Sequence, residues 1–502
     1  MRKFAISSMT RRGVLQALLA TAAGPVLANA PLVSERPPEG RGPKRLGSVE
    51  TLVQRARLSG DICFAVADSA SGDLLEARDE VVPIAPASVT KAITALYALD
   101  VLGPEHRFKT QVVATGGITD GVVEGNLVLV GGCDPRTDTR ALADLAAQVK
   151  AAGIREVRGD FQVYEGPILS LPTIDPEQLD HVGYSPAVSG IALNFNRVHF
   201  EWRRGSNGYD VNMDARAGKY RPDVHMARMR VVQRRAPIYT YEDLDGRDTW
   251  TVASGALGRG GARWLPVRRP GIYAGDVFQT LLRSHGIPVP WPKLRAAAPE
   301  GAVLAEIQSD PLSDILLGML KYSNNLTAEM VGLAATYARV GRVETLAASA
   351  AEMNLWAQEA LHMQTPGFSD HSGLGSASRV TAVDMVRGLR AAGRAKALRP
   401  LLKPVKLLDS QDRLIDNHPV KADAKTGTLN FVSGLAGYVT SPDGREMTFA
   451  IFVADETIRA KLTRAERERP PGGRTYATRA RRLQRKLLAR WGTSFTNDRA
   501  EL

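Results

Sequence analysis

The sequence predicts a multi-domain α/β (α+β) protein. Its 502 residues exceed the length of one typical domain, and a hydrophobic content of 44% is sufficient for buried cores. Strand-like alternation and helical periodicity both occur along the chain, whereas extended low-complexity tracts are few. We therefore expect two or three folded domains.

The chain is basic, with a formal net charge of +12 carried mostly by arginine. Such a charge can indicate an anionic partner, which would be nucleic acid, a membrane surface or a cell-wall polymer. Arginine-rich codon usage explains it equally well. No aromatic-interleaved basic motif or zinc-ligand spacing accompanies the charge, so we expect no nucleic-acid partner.

Residues 1–30 have the pattern of an export signal. Paired arginines at Arg11 and Arg12 precede an apolar stretch that ends at Leu27, and Ala28-Asn29-Ala30 resembles a cleavage site. The arginine pair favours the twin-arginine route, with the general secretory route as the alternative. The apolar stretch is too short for a stable spanning helix of about 20 residues. We expect the mature protein to be periplasmic.

The next segment predicts a β-hairpin followed by a helix. Ile62, Phe64 and Val66 alternate in the manner of a strand, and residues 69–73 supply turn residues before Leu74. This hairpin leads to Pro86, which presets the backbone for helix entry.

Strand-like runs at 111–115 and 126–130 indicate a separate β-rich unit at about 108–165. Residues 166–267 are basic, glycine-rich and strand-like, which is typical of an inserted domain. Helical periodicity then returns, and we expect the first domain to resume there, with helical segments around 273–279, 312–331 and 383–401.

The C-terminal segment carries an apolar stripe at helical spacing among arginines: Tyr476, Ala480, Leu483, Leu487 and Trp491. We interpret it as a helix that packs on the sheet. A membrane-surface helix is the alternative, so a loose association with a membrane surface stays open.

Ser88 and Lys91 are candidates for a nucleophile and its base. The residues after Pro86 are apolar on nearly every face, which predicts a buried helix whose N-terminus alone reaches solvent. Residues at i and i+3 share a helix face, so the Lys91 ammonium can lie beside the Ser88 hydroxyl. An ordinary lysine pKa of about 10.4 leaves the amine protonated at neutral pH. Burial or a second cation must therefore lower the pKa of Lys91.

Two further triplets complete a possible active-site set. The chain contains Ser88-Val89-Thr90-Lys91, Ser323-Asn324-Asn325 and Lys425-Thr426-Gly427-Thr428, each pattern once. Taken singly, these are ordinary helix caps, loops or turns entering a strand. Together and in this order they match the S-x-x-K, S-x-N and K-T-G set of penicillin-interacting serine enzymes.

The chain resembles the low-molecular-mass class C penicillin-binding proteins, the DacB-type D-alanyl-D-alanine carboxypeptidases and endopeptidases. The resemblance spans most of the mature chain. Besides the triplets it rests on the glycine-rich residues 125–135, Asp370-His371-Ser372-Gly373-Leu374 and residues 432–438. The 235 residues between Ser88 and Ser323 (323 minus 88) far exceed those of a compact β-lactamase.

The resemblance implies a catalytic domain of the penicillin-binding-protein and β-lactamase type, an antiparallel sheet flanked by helices, with two nested β-rich insertions. The division it suggests is a signal peptide at 1–30, the first part of the catalytic domain at 31–107, the first part of insertion II at 108–165, basic insertion III at 166–255, the return of insertion II at 256–267, the second part of the catalytic domain at 268–492, and a tail at 493–502.

The resemblance also implies residue roles. Ser88 would attack the penultimate D-alanine carbonyl, Lys91 would transfer the proton, and Ser323 would relay a proton to the leaving nitrogen. The implied substrate-binding set is Asn325, Lys425, Thr426, Gly427 and Thr428. Lys425 would also be the second cation that keeps Lys91 neutral. Peptidoglycan stem peptides are the implied substrates and β-lactam antibiotics the implied inhibitors. No metal or organic cofactor is implied, and the oligomeric state is left open.

Three positions depart from the family pattern. Cys133 and His371 each replace a glycine, so the backbone there must accept a side chain. Tyr164 aligns with an aspartate that in the family helps to grip the charged side chain of the stem peptide, which leaves the peptide preference open.

Two other functions are alternatives. A serine β-lactamase uses the same triplets, but it needs a base for fast deacylation that the sequence does not place, and the long insertion argues against it. A non-catalytic cell-wall binding module is the second alternative, although every position that carries chemistry is present.

Cys63 and Cys133 could form one disulfide in an oxidising compartment. Each lies in a strand-like apolar run, where cysteine behaves as a small hydrophobe. We favour two separate buried thiols.

Overall fold

A computed structural model describes residues 48–391, 394–409 and 411–496. The predicted export signal at 1–30 therefore lies outside the described residues, as does almost all of the segment that follows it.

The α-helices of the described chain are α1 (Val49–Ala56), α2 (Thr90–Leu102), α3 (Thr139–Ala151), α4 (Pro270–Ser284), α5 (Leu312–Tyr322), α6 (Asn325–Val340), α7 (Leu346–Leu361), α8 (Ala382–Arg390), α9 (Arg394–Leu398), α10 (Glu456–Ala460) and α11 (Gly473–Ser494). None of these helices combines the length and apolar character that crossing a membrane requires.

The strands, in chain order, are β1 (Asp61–Asp68), β2 (Leu74–Arg78), β3 (Lys109–Ala114), β4 (Ile118–Thr119), β5 (Val122–Val123), β6 (Leu127–Val130), β7 (Glu156–Val157), β8 (Phe161–Tyr164), β9 (Arg197–Gly205), β10 (Gly208–Asp214), β11 (Ala227–Val232), β12 (Tyr239–Leu244), β13 (Arg247–Ala253), β14 (Gly260–Pro266), β15 (Lys293–Arg295), β16 (Ala302–Gln308), β17 (Lys403–Pro404), β18 (Leu407–Leu408), β19 (Leu414–Ile415), β20 (Lys421–Leu429), β21 (Val432–Thr440) and β22 (Glu446–Ala454).

A six-stranded antiparallel sheet joins the two ends of the chain, in the order β17-β20-β21-β22-β1-β2. The predicted hairpin is confirmed as β1 and β2. Strand β1 then pairs along its whole length with β22, from Asp61 opposite Ala454 to Asp68 opposite Met447. The mixed α/β fold with an antiparallel sheet flanked by helices is thus confirmed.

One face of this sheet is covered by a helical layer built around α2. Residues Thr90 to Ala98 of α2 are all buried, and their core includes side chains from α5, α6, α7 and α8. The prediction of a buried helix is confirmed, but this helix begins at Thr90. Ser88 lies just before it, in a 3-10 turn at Ala87–Val89.

The opposite face is covered by α1 and the C-terminal helix α11. The stripe predicted at Tyr476, Ala480, Leu483, Leu487 and Trp491 is buried against the sheet. The Trp491 ring, for example, lies 5.8 Å from that of Phe64 and 6.0 Å from that of Phe449. The prediction that this helix packs on the sheet is confirmed.

Among the described residues, four further sheets are formed by strands that lie between β2 and β17 in the chain. A five-stranded sheet has the order β15-β8-β6-β3-β16, and β10-β9-β14, β11-β13-β12 and β4-β5-β7 form three-stranded sheets. Helices α3 and α4 pack with them in a second core.

The sequence predicted that the catalytic domain resumes at residue 268. In the structure, residues 268–308 belong instead with the five-stranded sheet. Strands β15 and β16 pair with the five-stranded sheet, and α4 packs in its core. Periodicity identified the helix at 273–279 but could not show which sheet it covers, because that depends on tertiary contacts. The full domain division stays a prediction.

The packing of α11 predicts a difference between two leucine substitutions. Leu487 is fully buried against the sheet, so Leu487→Ala should lower the free energy of unfolding by about 2–5 kcal/mol. Leu355→Ala is the matched control, because Leu355 is 52% exposed on helix α7, and it should change the free energy by less than about 0.5 kcal/mol. Urea denaturation measures both, and equal effects would contradict the packing described here.

Candidate active site

Ser88 lies in a tight turn between Pro86 and helix α2. Ala87 has a positive φ of 48°, and the Thr90 hydroxyl donates to the Ala87 carbonyl at 3.0 Å. Two glycines pass close to this turn. A Cβ on Gly373 would lie 1.9 Å from the Ala87 oxygen, and one on Gly427 would lie 2.7 Å from the Pro86 oxygen and 3.1 Å from the Ser88 nitrogen. Strand β20 therefore runs directly beside the backbone of Ser88.

Lys91 lies one turn further along, with no solvent exposure. Its Nζ donates to Ser88 Oγ at 2.9 Å, to Asn325 Oδ1 at 2.7 Å and to the Ser372 carbonyl at 2.6 Å. An ammonium has three protons, so these acceptors satisfy it completely. The predicted neighbours Ser88 and Lys91 are brought together, with Asn325 beside them.

Burial lowers the pKa of Lys91 from its ordinary value to about 7, against the opposing influence of Asp370 and Glu329. Desolvation disfavours the charged form of a lysine, because the buried ammonium loses its hydration. A substantial fraction of Lys91 is then neutral near pH 7, and a neutral amine can accept a proton.

Ser323 and Lys425 form a second pair. Ser323 ends helix α5 in a left-handed conformation with φ of 55°, and its Oγ accepts from Lys425 Nζ at 3.0 Å. The same Nζ donates to the Thr426 carbonyl at 2.7 Å. Burial, then the charges of Lys91 and Lys403, lower the pKa of Lys425.

Asn325 connects the catalytic helices to the inserted region. Asn324 caps helix α6 by accepting from the Thr327 amide at 2.9 Å, which fixes Asn325 at the first helical position. While Asn325 Oδ1 accepts from Lys91, its Nδ2 donates to the Tyr184 carbonyl at 2.9 Å. The segment around Tyr184 therefore borders the site.

Strand β20 borders the site on the other side. Thr426 is exposed and Thr428 half-buried, and as residues two apart in a strand they share one face. Strand β17 pairs with β20 only at Asp423 and Ala424. Among the described residues, β20 is thus unpaired on that edge from Lys425 onward.

The sequence of this chain matches the D-Ala-D-Ala carboxypeptidase 3 (S13) family over residues 46–469. The chain belongs to this family. A D-alanyl-D-alanine carboxypeptidase of Actinomadura sp. (strain R39) is 28% identical over 436 residues, which cover 80% of this chain and 79% of the relative. The carboxypeptidase DacB of Haemophilus influenzae is 25% identical over 410 residues, which cover 76% of this chain and 84% of the relative.

The fold agrees with this membership. The crystal structure of penicillin-binding protein 4 (dacB) from Haemophilus influenzae superposes with a TM-score of 0.72 at 20% sequence identity, covering 90% of this chain and all of that one. The protein is accordingly a serine-type D-Ala-D-Ala carboxypeptidase of the S13 family, as the sequence predicted.

Two buried acids of this S13 enzyme lie near Lys91: Glu329, which the sequence analysis did not single out, and Asp370, which it named only as part of a family-like segment. Glu329 accepts from the amides of His371 at 3.0 Å and Ser372 at 2.9 Å. Asp370 accepts from the amides of Gly373 at 2.6 Å and Gly375 at 2.7 Å. Burial and the neighbouring Asp370 raise the pKa of Glu329 to about 8. The available signal was the spacing of Glu329, four residues after Asn325 and next to the apolar run Met330-Val331-Gly332-Leu333 of α6.

These acids shape the loop that faces Lys91. By holding the Ser372 amide, Glu329 places the Ser372 carbonyl 2.6 Å from Lys91 Nζ. Asp370 folds the following residues into a turn against Ala87. The acids thus position a Lys91 partner instead of pairing with Lys91 directly.

The departure at His371 is compensated by a nearby glycine. The His371 ring is buried, its Nε2 lies 2.7 Å from Ser349 Oγ, and burial lowers its pKa to about 3. A Cβ on Gly332 would lie 2.1 Å from this ring. The His371 ring thus occupies the space that a side chain at position 332 would need, and its low pKa keeps the imidazole neutral.

Cys133 and Tyr164 occupy structural positions. Cys133 adopts a positive φ of 68° and its amide donates to the Gly190 carbonyl at 2.7 Å. The prediction of separate buried thiols is confirmed, since Cys63 and Cys133 are both free and buried. Tyr164 is the last residue of β8. Burial, and then the neighbouring Tyr337 at the far end of α6, raise its pKa. That end of α6 is about 18 Å from Asn325, counted as 12 residues at 1.5 Å.

The lowered pKa of Lys91 predicts a pH profile for acylation by benzylpenicillin. If neutral Lys91 accepts the serine proton, the acylation rate constant should rise about tenfold per pH unit below a pKa of about 7 and level off above it. Stopped-flow acylation between pH 5.5 and 9 measures this, with circular dichroism as the control for folding. A rate constant that does not change over this range, or that still rises without levelling off at pH 9, would contradict the role of burial.

Proposed function

We propose that Ser88 is the nucleophile of this carboxypeptidase and Lys91 its base. The observation that carries the proposal is the 2.9 Å contact of Lys91 Nζ with Ser88 Oγ, combined with the low pKa that burial gives Lys91. A serine hydroxyl is a weak nucleophile until a neighbouring base removes its proton. The Lys91 amine lies within hydrogen-bond distance of this hydroxyl, which supports its role as the base.

In acylation, the proton of Ser88 Oγ passes to Lys91 Nζ while Oγ bonds to the carbonyl carbon of the penultimate D-alanine. The tetrahedral oxyanion lies between the amides of Ser88 and Thr428, on the side where β20 passes the Ser88 turn. A preorganised amide donor at such a position is worth roughly 10²- to 10³-fold in rate.

Collapse of this intermediate breaks the amide bond and needs a proton on the leaving nitrogen. Ser323 relays it: its hydroxyl, held by Lys425 Nζ at 3.0 Å, donates its proton to the leaving nitrogen and takes in return the proton that Lys91 received from Ser88, so Lys91 is neutral again before deacylation. The free D-alanine leaves and the rest of the stem peptide remains as an ester on Ser88. Water then attacks this ester, Lys91 accepts the proton of the water, and Ser88 regains a proton as the peptide leaves.

Substrate orientation comes from strand β20 and from Asn325. Lys425 attracts the terminal carboxylate, and Thr426 and Thr428 donate hydroxyl hydrogen bonds to it from one face of the strand. Gly427 allows the strand to approach Ser88 closely, because any side chain there would meet the Pro86 carbonyl. Asn325 binds the backbone amide of the substrate, with Lys91 and Tyr184 fixing its orientation.

The nucleophile is tested with Ser88→Ala. This substitution should abolish the covalent benzylpenicillin adduct and reduce release of D-alanine from a stem peptide by roughly 10³-fold or more, since the acyl-enzyme cannot form. Mass spectrometry of the adduct and an amino-acid assay of D-alanine measure the two effects. An adduct on another serine, or undiminished D-alanine release, would refute this assignment.

The carboxylate site is tested with Lys425→Ala, which should weaken both acylation and peptidase activity. Lys421→Ala is the matched control, because Lys421 is an exposed lysine four residues earlier on β20 and should leave both activities unchanged. If the two substitutions reduced acylation and peptidase activity equally, the loss of activity would come from disturbing β20 in general, and a specific role of the Lys425 ammonium would be refuted.

We also propose that the enzyme acts on peptidoglycan in the periplasm. The support is the predicted leader at 1–30 together with the family's D-Ala-D-Ala specificity. Changing Arg11 and Arg12 to lysine should block export if the twin-arginine route is used, whereas a general secretory signal would tolerate it. Cell fractionation of both forms measures this. Wild-type protein retained at full length in the cytosol would refute the proposed location.

A further inference from the structure

The outer face of α11 carries a charge that the catalytic mechanism does not use. This helix has 22 residues, Gly473–Ser494, and none of them is acidic. Its cations are Arg474, Arg479, Arg481, Arg482, Arg485, Lys486 and Arg490. At 1.5 Å per residue the helix is about 33 Å long, so these charges form an extended row.

The cations and the apolar stripe occupy opposite sides of α11. At about 100° per residue, the cations fall within one half of the helix circumference, and the buried residues other than Gly492 fall within the other. Because the stripe is already packed on the sheet, it is not available for insertion into a bilayer. Any partner of the outer face must therefore be bound by charge.

Helix α1 extends this face and forms a cleft with α11. Arg55 of α1 and Arg57, the residue that ends this helix, lie opposite Arg479, Arg482 and Lys486 around a cavity of about 430 Å³. Leu52, Ala56 and Leu483 line the same cavity and give it an apolar component. A cationic wall beside an apolar lining suits a phosphate group attached to a short hydrocarbon segment.

Few carboxylates balance these charges. Asp412 pairs with Arg482 and with Lys486, the latter at 2.9 Å, and Glu76 pairs with Arg490 at 2.9 Å. No ion pair with a described residue is formed by the remaining cations of the face, which are Arg55, Arg57, Arg474, Arg479, Arg481 and Arg485. Burial and the adjacent charge of Arg481 lower the pKa of Arg485, as expected for like charges held together.

We propose that this cationic face, formed by α1 and α11, docks the enzyme on an anionic phospholipid bilayer. A long row of cations on one side of a straight helix complements a plane of phosphate groups better than it complements a single small anion. The cleft between α1 and α11 receives one lipid headgroup phosphate, and the other arginines contact its neighbours. Such binding is electrostatic, reversible and weakened by salt.

The proposed docking leaves the active site free. The cationic face and helix α2, with Ser88 at its start, lie on opposite faces of the six-stranded sheet. An enzyme held on a bilayer by α11 would keep the opening near Ser88 directed away from the lipid. The inference is independent of the catalytic roles proposed above, because it uses none of the same residues.

Co-sedimentation with lipid vesicles tests the proposal on the full-length protein with and without its leader. We expect binding to phosphatidylglycerol-containing vesicles at low ionic strength, release at 0.5 M salt, and no binding to pure phosphatidylcholine vesicles. The variant Arg55→Gln, Arg479→Gln, Arg481→Gln should reduce partitioning by about 100-fold while its rate of acylation by benzylpenicillin stays unchanged.

A matched control removes the same charge elsewhere. Arg203→Gln, Arg204→Gln, Arg228→Gln changes three exposed arginines of the inserted sheets and should retain vesicle binding. Equal loss in both triple variants would show that only net charge matters and would overturn the proposed face. Absence of vesicle binding, equal binding to both lipids, or binding to isolated peptidoglycan in place of vesicles would overturn it as well.

Discussion

The contact between Lys91 and Ser88 places a cation beside a nucleophile at a point where the cation has no contact with solvent. Removing an ammonium from water is costly, and in this protein that cost appears as a lowered pKa, which makes the lysine able to accept a proton. Three hydrogen-bond acceptors hold its orientation, so the amine points at the serine hydroxyl. Burial, and not the second cation that the resemblance implied, lowers the pKa of Lys91. The charge of Lys91 acts in the other direction, since it helps to lower the pKa of Lys425.

The surrounding fold excludes water from Lys91 and brings the other site segments close to Ser88. Helix α2 is covered on all sides by α5 to α8 and by the sheet, so water is excluded from Lys91. Strand β20 approaches the Ser88 turn closely enough that Gly427 is required, and Gly373 meets the same turn from the loop that supplies the Ser372 carbonyl. The site combines chain segments that are distant in sequence: Lys91 and Asn325 are 234 residues apart, and Ser323 and Lys425 are 102 residues apart. The pairing of β1 with β22 and the packing of α2 against the neighbouring helices bring them together.

The buried acids show how charge is controlled around the lysine. Glu329 and Asp370 each accept hydrogen bonds from two backbone amides, so the two carboxyl groups order a loop instead of pairing directly with Lys91. A direct ion pair would raise the pKa of Lys91 and remove its basic function. The His371 imidazole next to them stays neutral because burial lowers its pKa to about 3, and it adds no further charge to the centre.

The sequence by itself determined the mixed α/β class, the hairpin β1–β2, the buried helix after Ser88 and the C-terminal helix on the sheet, because local periodicity and turn residues specify such elements. The spacing of Ser88, Lys91, Ser323, Asn325 and Lys425 also indicated the family, since each triplet is local. Only the tertiary structure decided that β15 and β16 belong to the five-stranded sheet and that α4 packs in its core. It also decided that Glu329 and Asp370 order the loop that faces Lys91. These facts depend on contacts between distant segments, and side-chain burial, which sets the pKa of Lys91, exists only once those segments have packed.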